Sequence, residues 1–328
     1  MKSAVLGGGS FGTALASLLA RTGHPVRLWL REEEVARQLN AARENPVYLP
    51  GVRVPEGIRA TVDLAEALEG AELVLMVIPS EFCRDVYRRA APHVPRDAWL
   101  ISATKGFELT TLRRMTEVAA EEVPERALAV LSGPSFALEV AQEQPTAVVV
   151  ASADRALSES LQRALWSRSF RAYASDDVIG VETAGALKNV IAIAAGILDG
   201  LGMGQNTVAA LVTRGLAELS RLVVAMGGRP DTLAGLAGLG DLVLTCTGGL
   251  SRNRRVGQAL GRGLSLEQAL GETAMVAEGV RTTLAACDLA ERAGVEMPIA
   301  QQMRAVLYEG KPPREAVEEL MLRRLKRE

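Results

Sequence analysis

Histidine is almost missing from this chain: there are two in 328 residues, His24 and His93. Both flank prolines in loop-like text, Gly23-His24-Pro25 and Pro92-His93-Val94-Pro95, which argues against a histidine general base. Lysine is also scarce. Of 37 basic residues only five are lysines, Lys2, Lys105, Lys188, Lys311 and Lys326, so a lysine inside apolar text stands out. Three cysteines, Cys83, Cys246 and Cys287, lie far apart without metal-ligand spacing; they read as reduced core thiols, and no metal is expected. The net charge of -2 and an ordinary charged fraction give no sign of a nucleic-acid or membrane surface. Met1-Lys2 runs straight into a strand-like segment without a cleavable signal pattern. No uninterrupted apolar run is long enough to span a bilayer. These features place the expected protein in the cytoplasm, without membrane insertion.

The segment from Asp176 to Gly204 is the one around which the rest is organised. It reads as a helix capped by Asp176 or Asp177 and ended by Gly200, Gly202 and Gly204. From Val181 to Leu198 it is apolar on nearly every face, which predicts burial all round. Ala184, Gly185, Ala186, Ala192, Ala194 and Ala195 let neighbouring backbones come close. Lys188 and Asn189 sit in its middle. A lysine there either snorkels to the surface or is aimed at a site as an acid/base or carbonyl-polarising group.

Before this helix, strand and helix alternate. Ser3–Leu6 runs into Gly7-Gly8-Gly9-Ser10-Phe11-Gly12 and then helix-like text, a G-x-G-x-x-G turn in dinucleotide-binding context. Gly7 permits the tight turn, Gly9 lets a pyrophosphate approach, and Gly12 lets the helix pack on the strand. After the second strand, Val26–Leu30, comes Arg31-Glu32. Arg31 suits a 2′-phosphate or an adenine face, or is a solvated strand-end residue. Glu32 is a ribose ligand or the first turn of the next helix. The reading leans to NADP without excluding NAD. Asn45 to Gly51 reads as a Pro/Gly loop, and Thr110–Ala120 as a helix. Later strands end in Pro79-Ser80, in Thr104-Lys105-Gly106 and in Ser132-Gly133-Pro134-Ser135-Phe136-Ala137, at the carboxyl edge where open α/β sheets bind ligands. Thr146–Ala151 and Phe170–Ala174 are further strands.

After Asp176 every segment looks helical. The expected fold is therefore α/β: an N-terminal Rossmann-type doubly wound sheet over 1–175 and an all-helical domain over 176–328. In the second half, Gly238-Leu239-Gly240-Asp241 places a carboxylate against apolar text, with Lys188 its candidate partner. Ser251-Arg252-Asn253 opens a helix and forms either an anion cradle or a simple N-cap. Val276 to Val280 reads as a turn into another helix.

Taken in order, the Gly7–Gly12 turn, Thr104-Lys105-Gly106, Gly133-Pro134-Ser135-Phe136-Ala137, Leu187-Lys188-Asn189, Gly238-Leu239-Gly240-Asp241 and Ser251-Arg252-Asn253 make the chain resemble bacterial NAD(P)-dependent glycerol-3-phosphate dehydrogenases over essentially its whole length. The resemblance implies reversible reduction of dihydroxyacetone phosphate to sn-glycerol 3-phosphate, a precursor of membrane phospholipids. It implies Lys188 as general acid/base and Lys105 as a ligand of substrate and cofactor. Asp241, Ser251, Arg252 and Asn253 become substrate ligands, Arg252 also meeting the cofactor; Gly133 and Ser135 become substrate contacts. Ser10, Phe11, Arg31, Ala137, Val276 and Glu278 become cofactor contacts. Phe11 stands where many relatives have Trp, and either ring can pack against a cofactor. The chemistry is consistent: hydride delivery to a ketone needs a proton donor and a positive field, and two lysines from different domains can supply both. A largely apolar helical half makes a homodimer plausible. Two rivals remain at this point: another reductase with a Rossmann half and a helical half, acting on hydroxyacids or hydroxyacyl groups, and a non-catalytic NAD(P) sensor.

Overall fold

The computed structural model describes residues 1–271 and 277–324. It divides into two compact units, one of residues 1–108 and 113–182, the other of 109–112 and 183 onward.

Unit 1 is built on ten strands: β1 (Ser3–Leu6), β2 (Val26–Trp29), β3 (Glu44–Asn45), β4 (Leu49–Arg53), β5 (Ile58–Thr61), β6 (Leu73–Met76), β7 (Trp99–Ser102), β8 (Ala127–Ser132), β9 (Thr146–Ala151) and β10 (Phe170–Ser175). Between them lie α1 (Ser10–Arg21), α2 (Glu33–Ala42), α3 (Leu64–Leu68), α4 (Ser80–Ala90), α5 (Met115–Glu122), α6 (Ala137–Ala141) and α7 (Arg155–Ala164). Eight strands form one sheet in the order β10-β9-β8-β7-β6-β1-β2-β5. β1 lies centrally, Ser3 opposite both Val26 and Leu73. Every residue of β1 and β6 is buried, as parallel strands covered on both faces require. One hydrophobic cluster gathers α1, α2 and α7 residues such as Leu15, Leu39 and Leu161. The other gathers α3, α4 and α5 residues such as Leu68, Val86 and Val118. The sheet is thus wound on both sides, and the strand order reverses beside β1.

Three details differ from the sequence expectation. β9 pairs antiparallel with β8, while β10 runs parallel to β9, so the last two strands oppose the other six. The 45–51 segment is not plain loop: β3 and β4 pair antiparallel there. The helix expected from Thr110 starts at Met115. Leu112 has a left-handed backbone (φ 61°), which an α-helix does not admit, and the Glu117 carboxylate reaches back to accept from Arg114 N at 2.8 Å, which caps the start.

After β10 every described element is helical: α8 (Val178–Gly200), α9 (Gln205–Ala225), α10 (Pro230–Ala234), a π-helical turn (Leu236–Gly240), α11 (Asp241–Thr247), α12 (Arg252–Gly261), α13 (Leu266–Gly271), α14 (Glu278–Ala293), α15 (Pro298–Tyr308) and α16 (Pro313–Met321). Asp177, not Asp176, caps α8, its Oδ1 accepting from Gly180 N at 2.9 Å. The division between units falls inside α8, after Glu182. By length and composition α8 is apolar enough to cross a membrane, yet 89% of its apolar window is buried within the protein. Burial as a core helix accounts for its hydropathy.

Candidate active site

In unit 1 the site is set by the turn that follows β1. Gly7 takes φ 125° and lies against the Val77 carbonyl, a conformation and a clearance that only glycine meets. Gly12 comes so close to the Gly7 carbonyl that a side chain would overlap it. Gly9 is the opposite case, since a Cβ there would meet nothing within 4 Å. Gly9 also starts α1 without a side-chain cap. Bare N–H groups, a helix dipole and open space at the reversal of strand order fit a dinucleotide pyrophosphate.

The hairpin braces this turn, which the sequence reading missed. Asn45, fully buried, donates through Nδ2 to the Gly8 carbonyl (2.8 Å) and to Thr13 Oγ1 (2.9 Å), while its Oδ1 accepts from Tyr48 N (3.1 Å). Ser10 Oγ donates to the Tyr48 carbonyl. A buried asparagine with two backbone partners and one hydroxyl partner had no signal in Pro/Gly-rich text. Phe11 packs half-buried on the core, as does Ala137 at the start of α6. Arg31, exposed at the end of β2, pairs with Glu32 at 3.1 Å.

The same carboxyl edge carries Lys105, Gly133 and Ser135. Lys105 Nζ donates to the Gly133 carbonyl at 3.3 Å, and Ser135 Oγ donates to the same oxygen at 3.0 Å. Gly133 has φ 134° and lies under Val148 of β9, so the reversed strand sets this turn. Arg84 holds the loop after Lys105 by a bidentate pair with Glu108 (2.6 and 2.8 Å).

In unit 2, Lys188 does not snorkel: it is 6% exposed. Its Nζ is paired with Asp241 and donates to Thr245 Oγ1 at 2.7 Å. Thr245 in turn donates to the Asp241 carbonyl at 2.6 Å. Asp241 and Thr245 are four apart on α11, hence on one face. The sequence reading proposed the Lys188–Asp241 pair but missed Thr245, because it did not treat Asp241 as the start of a helix. A π-helical turn leads into α11, as often found at functional sites. Cys246 is no rival nucleophile, since burial pushes its thiol up to about 12 against the opposing pull of Lys188 and Arg254.

The Ser-Arg-Asn turn is brought to the same helix by glycines. Gly196 and Gly200 of α8 touch the α12 backbone at Arg254 and Gln258, and Gly257 and Gly261 of α12 touch Ile193 and Ile197. No side chain fits between these backbones, so the start of α12 is fixed against α8. Ser251 caps α12, Oγ accepting from Arg254 N at 3.2 Å. Asn253 Oδ1 accepts from Gly279 N at 2.9 Å, joining the start of α12 to that of α14. A Cβ on Gly279 would lie 2.6 Å from the Asn189 carbonyl. Two helix N-termini therefore meet beside Asn189, an arrangement that favours an anion. Arg252 keeps an exposed surface; crowding by protein lowers its pKa, opposed by Glu278. Val276 lies outside the described residues, and Glu278 is the first residue of α14. Among the described residues no cluster of three or more His, Cys, Asp and Glu could hold a metal.

Comparison with known proteins agrees across the chain. The family model for the NAD-dependent glycerol-3-phosphate dehydrogenase N-terminus matches residues 2–158, and that for the C-terminus matches 177–318. The glycerol-3-phosphate dehydrogenase [NAD(P)+] of Geobacter sp. (strain M21) is 55% identical, covering 100% of this chain and 98% of the relative. That of Koribacter versatilis is 54% identical over 98% of this chain and 96% of its own. The crystal structure of glycerol-3-phosphate dehydrogenase from Coxiella burnetii superposes with a TM-score of 0.95 at 45% identity, covering 98% of this chain and 99% of that one. With a glycine turn and a buried lysine–aspartate pair in matching units, the chain belongs to the NAD-dependent glycerol-3-phosphate dehydrogenase family.

Proposed function

We propose that this protein reversibly reduces dihydroxyacetone phosphate to sn-glycerol 3-phosphate with NADH or NADPH, supplying glycerophospholipid synthesis, and that Lys188 is its general acid/base. The observation that carries the residue assignment is the buried Lys188, held by Asp241 and Thr245. The bound nicotinamide supplies the hydride that arrives at the carbonyl carbon. Lys188 Nζ gives a proton to the carbonyl oxygen as the C=O π bond breaks, and takes it back in the reverse direction. Asp241 and Thr245 hold the ammonium in place. Ser251, Arg252 and Asn253 bind the phosphate, where a guanidinium and two helix N-termini concentrate positive charge. Lys105, Gly133 and Ser135 serve substrate and cofactor at the sheet edge. Gly7, Gly9, Ser10, Phe11, Gly12, Arg31, Ala137, Val276 and Glu278 serve the cofactor, Arg252 and Lys105 contributing to both.

The reading extends to the whole protein. We divide it into a dinucleotide-binding domain, 1–175, and a helical catalytic domain, 176–328. We place it in the cytoplasm without membrane insertion, a reading supported by three buried free thiols and the buried α8. We also infer a homodimer, supported by an apolar groove of about 1090 Å³ in unit 2 lined by α8, α9, α15 and α16.

The test is absorbance at the reduced-nicotinamide band. Dihydroxyacetone phosphate is expected to consume NADH or NADPH, and unphosphorylated dihydroxyacetone is not. Arg252→Ala is expected to raise KM for the phosphorylated ketone at least tenfold, by loss of a charge-assisted contact. An unchanged KM places the phosphate elsewhere; turnover of the unphosphorylated ketone at equal rate rejects the substrate.

A further inference from the structure

The end of β2 carries a three-residue arrangement of which the proposed function uses only Arg31. Arg31 Nη2 donates to Glu32 Oε1 at 3.1 Å, and Tyr48 Oη donates to the same oxygen at 3.2 Å. Glu32 is a third exposed and Arg31 mostly exposed. Among the described residues no hydrogen bond reaches Glu32 Oε2. Tyr48 is not a loose side chain. Its N–H is tied to Asn45, its carbonyl receives Ser10 Oγ, and Asn45 holds Gly8. The turn that cradles the pyrophosphate and the clamp on Glu32 are thus parts of one hydrogen-bonded hairpin. Burial first, then the Glu32 charge, push the Tyr48 phenol above its ordinary value, so it remains a donor at neutral pH.

We propose that Tyr48 and Glu32 together set the balance between the two nicotinamide cofactors, Tyr48 holding the Glu32 carboxylate on Arg31 so that it competes with a cofactor 2′-phosphate. Arg31 is the group at this sheet edge suited to a 2′-phosphate. A carboxylate fixed on it neutralises that charge and repels a second anion. A 2′-hydroxyl meets no such penalty and can donate to a carboxylate. The pair therefore discounts the 2′-phosphate without excluding it, and leaves both cofactors usable. Tyr48 acts through Glu32 and is a positioning residue. The proposal rests on the Gly7–Gly12 turn being the dinucleotide site.

The test uses adenosine 2′,5′-bisphosphate and 5′-AMP, titrated calorimetrically into the full chain, so that no turnover is needed. Glu32→Gln is expected to tighten the bisphosphate about two- to fivefold while AMP changes less than about 1.5-fold, the size of one exposed charge–charge term. Tyr48→Phe is expected to shift the same ratio in the same direction but less, and to add nothing in the Glu32→Gln background. Three results overturn the proposal: an unchanged ratio in Glu32→Gln, a Tyr48→Phe effect that weakens both ligands alike, or one that persists in the double variant. Wild type that binds neither ligand overturns the dinucleotide-site assignment itself, a failure distinct from an unchanged ratio.

Discussion

In the proposed reaction Lys188 would serve stability and chemistry together. Its ammonium and the Asp241 carboxylate are both almost fully buried, so each offsets part of the desolvation penalty of the other. Lys188→Ala is expected to abolish turnover while leaving nucleotide affinity nearly intact. It is also expected to cost about 3–5 kcal/mol, because the buried Asp241 loses its opposite charge. The two effects separate in Lys188→Met/Asp241→Leu, an apolar pair without a buried charge. Urea denaturation should show most of the stability restored and kinetics should show turnover still absent. Recovery of turnover in the double variant would remove the acid/base role.

Among elements, α15 carries a cap from another helix. Its first N–H groups are met by the Glu218 carboxylate of α9, at 2.9 and 3.1 Å from Ile299 N. Burial raises the Glu218 pKa to about 7, outweighing these N–H groups and the charges of Arg221 and Arg323, which lower it. The sign follows from linkage. Between the ordinary carboxylate value of 4.5 and about 7, the unfolded chain loses a proton that the folded chain keeps. Folding stability therefore falls as pH rises through this window and levels off above it. Glu218→Gln cannot titrate and should remove that slope. Denaturation of both proteins from pH 5 to pH 8 should show the wild type losing on the order of 3 kcal/mol relative to the variant. Parallel profiles would assign the pH dependence to other groups.

For the whole molecule, the groove of unit 2 is the feature that monomeric packing leaves uncovered. Val224 and Met321 line it and are 49% and 78% exposed, and apolar patches of this kind mark interaction surfaces. Light scattering is expected to give twice the chain mass of 34.8 kDa. Val224→Glu with Met321→Glu should halve it. A wild-type monomer, or a dimer indifferent to these charges, would place no subunit on this face.

Much of the protein was legible before folding was considered, for a local reason. A glycine turn between strand and helix, an apolar helix with a lone lysine, and Ser-Arg-Asn at a helix start depend on neighbours within a few residues, and the backbone reads them directly. The Leu112 backbone, which delays α5, was missed because a left-handed leucine carries no local mark. Other features depend on partners far along the chain. The reversal of β9 against β8, the Asn45 brace under Gly8, and Thr245 beside Lys188 are settled by which surfaces meet and which buried polar groups must then be paired. Residue order marks the groups able to do this chemistry; long-range packing supplies their burial and their partners.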